Sequence, residues 1–445
     1  MNITIAYLII YLIALVIITW LSSRRQTVGE YINSSKKLTV SESTWTTFAS
    51  LLTGYNFVLG VTFAYLYGFW YLMAFVGAGM AFIVLYFFYK KRLAALQKNH
   101  DLFSIGDYFG LEYSLSTKII VNLILCVTLL LFLILQMYVN TGLFSALLHI
   151  EKITALLLTS GIVCVYLWLG GFKTSVKTDI FQGILILPII LTIFVFPVHF
   201  TWEKVPAAFD LSQFWFAVGL ALLQFFSLLA QAESFQRVFA VKDSETLKKS
   251  LKVAFVLLAL VAGSIAYLGI NFKFSGIITD PLNLFTEGVL GALPQWLGSL
   301  LIISLIAAFM GTIDSSAFAF GILAARMKNN ITQDSTVRLT RYFTLIGIVL
   351  SAIASLYLFS FLQSVFALVS IISVIGAALL VSMFLKLKTA DINIFLIAGM
   401  IVFILGLVLK FVTDNPLTAL IPSAVALIIL CLILTLRRFK SIKQL

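Results

Sequence analysis

The sequence predicts an all-α, polytopic membrane protein of about 13 transmembrane helices, and three observations predict it. Of its 445 residues, 61% are hydrophobic and 11% charged, whereas an ordinary soluble domain carries about 25% charged residues. Apolar runs recur from Thr4 to Leu436, and no polar stretch between them is long enough to form a separate globular domain. The lysines and arginines, finally, sort to one side once the runs are numbered as membrane crossings.

A helix needs about 20 residues to cross the hydrocarbon core, and lipid leaves a chain of this pattern no other spanning structure. The candidate spans run roughly 3–21, 43–67, 69–89, 117–148, 153–170, 179–198, 211–232, 250–271, 296–325, 342–360, 362–385, 392–412 and 417–436. The first run lacks a preceding basic stretch and a following A-x-A-like site, so it reads as a retained span rather than a cleaved signal peptide. Alternating the loops puts 26 basic residues on one side and Lys152, Lys204, Lys273 and Lys410 on the other, which accounts for all 30. By the positive-inside rule the N-terminus lies outside and the C-terminus in the cytoplasm, in a plasma membrane of prokaryotic inner-membrane type. The formal charge of +12 then suits anionic lipid headgroups and calls for no nucleic acid. Cys126, Cys164 and Cys431 fall in apolar runs and read as small core residues.

With the leading helix and loop (1–42) and two trailing helices (391–445) set aside, 43–200 and 201–390 form two five-helix sets within one transmembrane domain. An odd number per set forces opposite orientations, the topology of a 5+5 inverted-repeat transporter core.

Polar groups at membrane depth mark the candidate sites. In the second span Thr53, Gly54, Tyr55 and Asn56 interrupt an apolar stretch. Unwinding there would free carbonyls for a cation and aim Tyr55 and Asn56 at a solute; equally, Thr53 could bond back to its own helix and the glycines merely allow close packing. The ninth span places Asp314 with Thr312, Ser315 and Ser316 well inside an apolar run. An intramembrane carboxylate faces a cavity or a partner by default. Ala308, Thr312 and Ser315 share a face, with Asp314 at its edge. Asp179 opens the sixth span, where its plainest role is helix capping. Gln136, Asn140, Gln224 and Gln363 are single polar residues of the kind that more often join helices than bind ligands. Phosphate-loop, dinucleotide, zinc-protease and nucleophile-elbow motifs do not occur, which argues against ATP-driven pumping, and the acidic residues are too scattered to nominate the pair a membrane-embedded enzyme would need. No organic cofactor is expected.

At these residues the chain resembles the sodium/solute symporter family, which includes sodium/proline and sodium/glucose symporters. The resemblance is carried by Gly170-Gly-x-Lys173 with Thr178-Asp179 and Gln182, by Ser234-Phe-Gln-Arg237 with Lys242-Asp243, and by Ala307-Ala-x-Met-x-Thr-x-Asp-Ser315. Glu30-Tyr31 and Ser104-Ile-Gly-Asp-Tyr108 also fit. It implies alternating access and a sodium site built from carbonyls of Ala49 and Leu52, the carbonyl of Ala308 and hydroxyls at 311 and 312. The chain keeps Thr312 but has Gly311 where the family usually has serine. A hard cation is held by oxygen ligands, so the loss calls for a substitute, with Asp314 or Ser315 as candidates. A second sodium site in some members implies Asp179, Asp314 and Ser315.

The expected function is sodium-coupled symport of a small organic solute, bound by Thr53, Tyr55, Asn56, Gln136 and Gln224, in a monomer or weak homo-oligomer. No arginine is expected at membrane depth. The alternatives are a proton-coupled carrier and a solute-sensing membrane protein without a signalling domain.

Overall fold

The computed structural model describes residues 3–24, 26–196, 198–199, 201–275, 284–327, 332–357 and 360–442. The described chain is a stack of helices, with one isolated β-bridge, Leu38 to Val241, as the only strand pairing among the described residues. The helices that position the site are α1 (Ile3–Ser23), α2 (Val28–Asn33), α3 (Val40–Leu51), α4 (Gly54–Tyr67), α5 (Met73–Phe88), α6 (Leu115–Leu148) and α7 (Lys152–Ile186). There follow α8 (Phe214–Ala230), α9 (Ala232–Ala240), α10 (Ser244–Ser275), α11 (Gln295–Ala325), α12 (Gln333–Ser355), α13 (Phe361–Phe384), α14 (Thr389–Val408) and α15 (Ile421–Ile442).

Eleven segments of the described chain are helical, long and apolar enough to cross a membrane, against the thirteen expected. The difference lies in two 44-residue segments, Asn56–Asn99 and Lys152–Val195. Each is about twice the length of one crossing, and each contains a glycine of positive φ, Gly68 at 59° and Gly171 at 60°.

Helix α11 is the centre of the bundle. It packs against α3, α4, α6, α7, α9 and α12, and all but a few of its residues are buried. That explains why its polar groups can be functional: they meet protein on every side. The polar stretch from Gly170 to Thr178, expected as a loop between two spans, is instead helical except at Gly171. Thr174, Ser175 and Thr178 are buried there, while Lys173 and Lys177 stay partly exposed, so much of the polarity belongs to the interior.

Capping boxes start α2 and α3, in which Thr27 and Glu30, and Thr39 and Glu42, bond each other's backbone amides. The same two glutamates reach across to α7, Glu30 to Lys173 and Glu42 to Lys177, both at 2.7 Å. The Lys173 ammonium holds the partly buried Glu30 carboxyl below its usual range.

Candidate ion and solute site

Two helix breaks open the interior. Helix α3 ends at Leu51; Leu52 and Thr53 leave helical geometry before α4 starts at Gly54. Gly54 lies against the Phe309 ring of α11, where a side chain would overlap the ring. The break frees the last carbonyls of α3 from their intrahelical partners. Asn56 spans it, its Nδ2 donating to the Leu51 carbonyl at 2.8 Å. The second break is at Gln231, extended between α8 and α9 (φ −62°, ψ 121°).

Both breaks face one cavity of about 50 Å³, lined by Thr53, Asn56, Gln224, Gln231 and Glu233 with Thr128 and Ser227. Two neighbouring cavities, of about 80 and 50 Å³, also share Asn56 and Gln224. Each has room for a few waters rather than a solute. The Thr53 hydroxyl is buried and has no hydrogen-bond partner, so it does not bond back to its own helix.

Below the first break lies a buried charged network. Arg237 of α9, 3% exposed, donates from Nη2 to Asp179 Oδ2 at 3.1 Å and to Ser315 Oγ at 2.9 Å. Its Nε donates to Thr46 Oγ1 at 2.8 Å and its Nη1 to the Glu233 carbonyl at 2.9 Å. Thr46 passes a hydrogen bond on to the same Asp179 oxygen. The hydroxyls of Ser315, Thr178 and Ser175 donate to Asp314 at 3.1, 3.2 and 3.3 Å. The arginine thus serves one aspartate, while the other meets only neutral donors.

Gly311 leaves a bare patch on α11. A side chain there would run into Gln182 Oε1, with Asp179 Oδ1 3.7 Å away. Both oxygens are buried without a hydrogen-bond partner. Both lie beside the place a side chain at 311 would begin, and Gln182 is steadied by donating from Nε2 to the Tyr11 hydroxyl at 3.2 Å.

The expected residues fall as follows. Asp179, Asp314 and Ser315 join one network, and Asp179 is fully buried inside α7 rather than capping a helix. Ala308 and Thr312 sit together on α11, with the Thr312 hydroxyl donating to the Ala308 carbonyl at 2.8 Å. Ala49 is buried in the last turn of α3 and Leu52 is at its break, and both α3 and α4 pack on α11. Thr53, Asn56 and Gln224 line the cavity; the side chain of Tyr55 lies outside the described residues. Gln136 is not among the lining residues of these three cavities: it is buried in α6 with both amide atoms unpartnered. Arg237, expected in a loop, is instead buried in α9 against Asp179 and Ser315. Glu233, Thr46 and the role of Gln182 were also missed. The signal for α9 was its polar set, Glu233, Ser234, Gln236 and Arg237, following an apolar run with no glycine or proline between them.

Comparison with known proteins agrees with this architecture. A solved structure of a Na+-coupled sialic acid symporter, in a substrate-bound outward-open state, superposes with a TM-score of 0.77 at 17% identity. The match covers 96% of each chain. A search of curated protein sequences returns no match. The sequence model of the sodium:solute symporter family matches residues 31–402, most of the chain, and the protein therefore belongs to the sodium:solute symporter family.

Proposed function

We propose that this protein is a sodium-coupled secondary symporter of a small organic solute, working by alternating access in a plasma membrane with its N-terminus outside. The observation that carries the coupling is the pair of orphaned oxygens, Asp179 Oδ1 and Gln182 Oε1, facing Gly311. Buried oxygens without donors are costly, and a hard cation satisfies several at once. Sodium would be held among the carbonyls of Ala49, Leu52 and Ala308 and the Thr312 hydroxyl, with Gln182 Oε1 supplying the oxygen that Gly311 lacks. Asp179, Asp314 and Ser315 border the same region. Asp179 and Asp314 are two buried carboxylates against one arginine, so a further positive charge lowers the energy of the region. Solute would bind beside Thr53, Asn56 and Gln224, and coupling requires that it bind the ion-loaded state more tightly.

A second reading, proton coupling, is favoured by Asp314, whose oxygens meet only hydroxyls. The two readings separate in one measurement on purified full-length protein: thermal unfolding titrated with sodium against potassium at constant ionic strength and pH. A sodium-specific rise that is lost in Asp179→Asn and weakened in Thr312→Ala is expected. Equal behaviour in the two salts, with stability and uptake following pH alone, would overturn sodium coupling in favour of the proton.

A further inference from the structure

We infer that Glu233 is the anchor for a positively charged nitrogen, and that the transported solute carries an ammonium group, as an amine or a zwitterion. The inference rests on the symporter reading and deepens it by naming the solute class.

Glu233 is 3% exposed and lines the cavity where the two helix breaks meet. Neither that cavity nor the two that share Asn56 and Gln224 with it is lined by a lysine, arginine or histidine. The carboxylate has a neutral donor, the Ser316 hydroxyl, at Oε1. Among the described residues no basic group lies within ion-pair distance of it. Arg237 is one turn along the same helix, but its donors go to Asp179, Ser315, Thr46 and the Glu233 backbone carbonyl, not to the Glu233 side chain.

A carboxylate inside a membrane bundle faces a cavity or a partner. Glu233 in the first turn of α9 gains some support from the helix dipole, and a purely structural role would end there. The cavity supplies the second observation: the Thr53 hydroxyl, 2% exposed and unpartnered, lines it from the opposite break. Asn56 donates one of its Nδ2 hydrogens to the Leu51 carbonyl, and its Oδ1 is available as an acceptor. The wall therefore offers neutral hydroxyl and amide groups and carries one negative charge. An ammonium ion supplies donors to such a wall and cancels the charge; an anion would be repelled, and a neutral polyol would leave the charge unmet.

The test uses full-length protein in detergent, in saturating sodium, with thermal unfolding read against a matched panel: ethanolamine, alanine, lysine and choline; glycerol, glucose and inositol; acetate, lactate and succinate. At least one ammonium-bearing compound is expected to raise the melting temperature in sodium and not in potassium, with no response to the neutral or anionic sets. Glu233→Gln keeps the acceptor for Ser316 and removes only the charge, so it is expected to retain the sodium response while its affinity for that compound falls by about thirtyfold or more. Glu233→Asp, which keeps the charge, should retain the selectivity. A response confined to neutral or anionic compounds, an ammonium response unchanged by Glu233→Gln, or a panel with no ammonium response each overturns the inference. Loss of the sodium response in Glu233→Gln also overturns it, by making Glu233 an ion ligand. Failure of the symporter reading is seen separately, as the absence of any sodium-specific response in the unmodified protein.

Discussion

At the scale of single residues, the most unusual feature of the proposed ion region is the missing side chain at Gly311. Gly311 removes a hydroxyl from α11, and the Gln182 amide of α7 reaches into the vacated space. If the two are alternatives, Gln182→Ala should weaken the apparent sodium affinity by about tenfold, roughly 1.4 kcal/mol. Adding Gly311→Ser to Gln182→Ala should restore most of it. Sodium titration of thermal unfolding in the two variants checks this, and a failure of serine to rescue would place the ion elsewhere. Gly311→Ser alone should fold, because the atom it meets is the end of a flexible side chain that can turn away. Arg237 behaves differently. Its removal leaves Asp179 buried beside Thr46 without a counter-charge, and breaking a buried pair in this way costs about 3–5 kcal/mol. Arg237→Ala should therefore lower the melting temperature steeply, while Arg237→Ala with Asp179→Asn recovers much of the loss.

Elements are joined by conformations and pairs that only certain residues permit. The bend in α7 depends on Gly171, at φ 60° and ψ −161°, a region essentially closed to residues with a side chain. A side chain there would also enter the Tyr31 ring of α2. Gly171→Ala should destabilise by about 1–3 kcal/mol from backbone strain alone, readable by thermal unfolding, and a neutral result would mean the bend is not held as described. The tether from α2 to α7 has a pH signature. Bonding to Lys173 lowers the folded-state pKa of Glu30 below its ordinary value, so its contribution is present above the ordinary carboxyl range, near pH 4.3, and is lost as pH falls through the depressed folded value. The difference in melting temperature between the unmodified protein and Glu30→Gln should thus be constant near neutrality and close on acidification; a gap that persists below pH 3 would assign the effect to packing.

For the whole molecule, a ligand that binds only the folded state stabilises it by about 2.7 kcal/mol at a hundredfold excess over its dissociation constant. Sodium should produce such a rise and potassium should not, and bound solute should sharpen the sodium dependence because coupling is reciprocal. The sequence by itself determined the membrane-spanning, all-helical class, since lipid permits few ways to satisfy a backbone and long apolar runs are local features. It also marked Asp314, a carboxylate well inside an apolar run, as facing a cavity or a partner, whereas Asp179 read most plainly as a helix cap. What it did not determine was the company they keep. Thr46, Asp179, Arg237 and Ser315 lie on four helices and are separated by up to 269 positions along the chain. Their meeting is a product of packing around α11 rather than of spacing. For the same reason a basic residue just beyond an apolar run was placed in a loop: local composition cannot tell a charge that faces water from one that faces another charge. Only the tertiary structure decided that Arg237 and Glu233 turn inward, that Gln182 fills the space beside Gly311, and that two helix breaks far apart in the chain open on the same cavity.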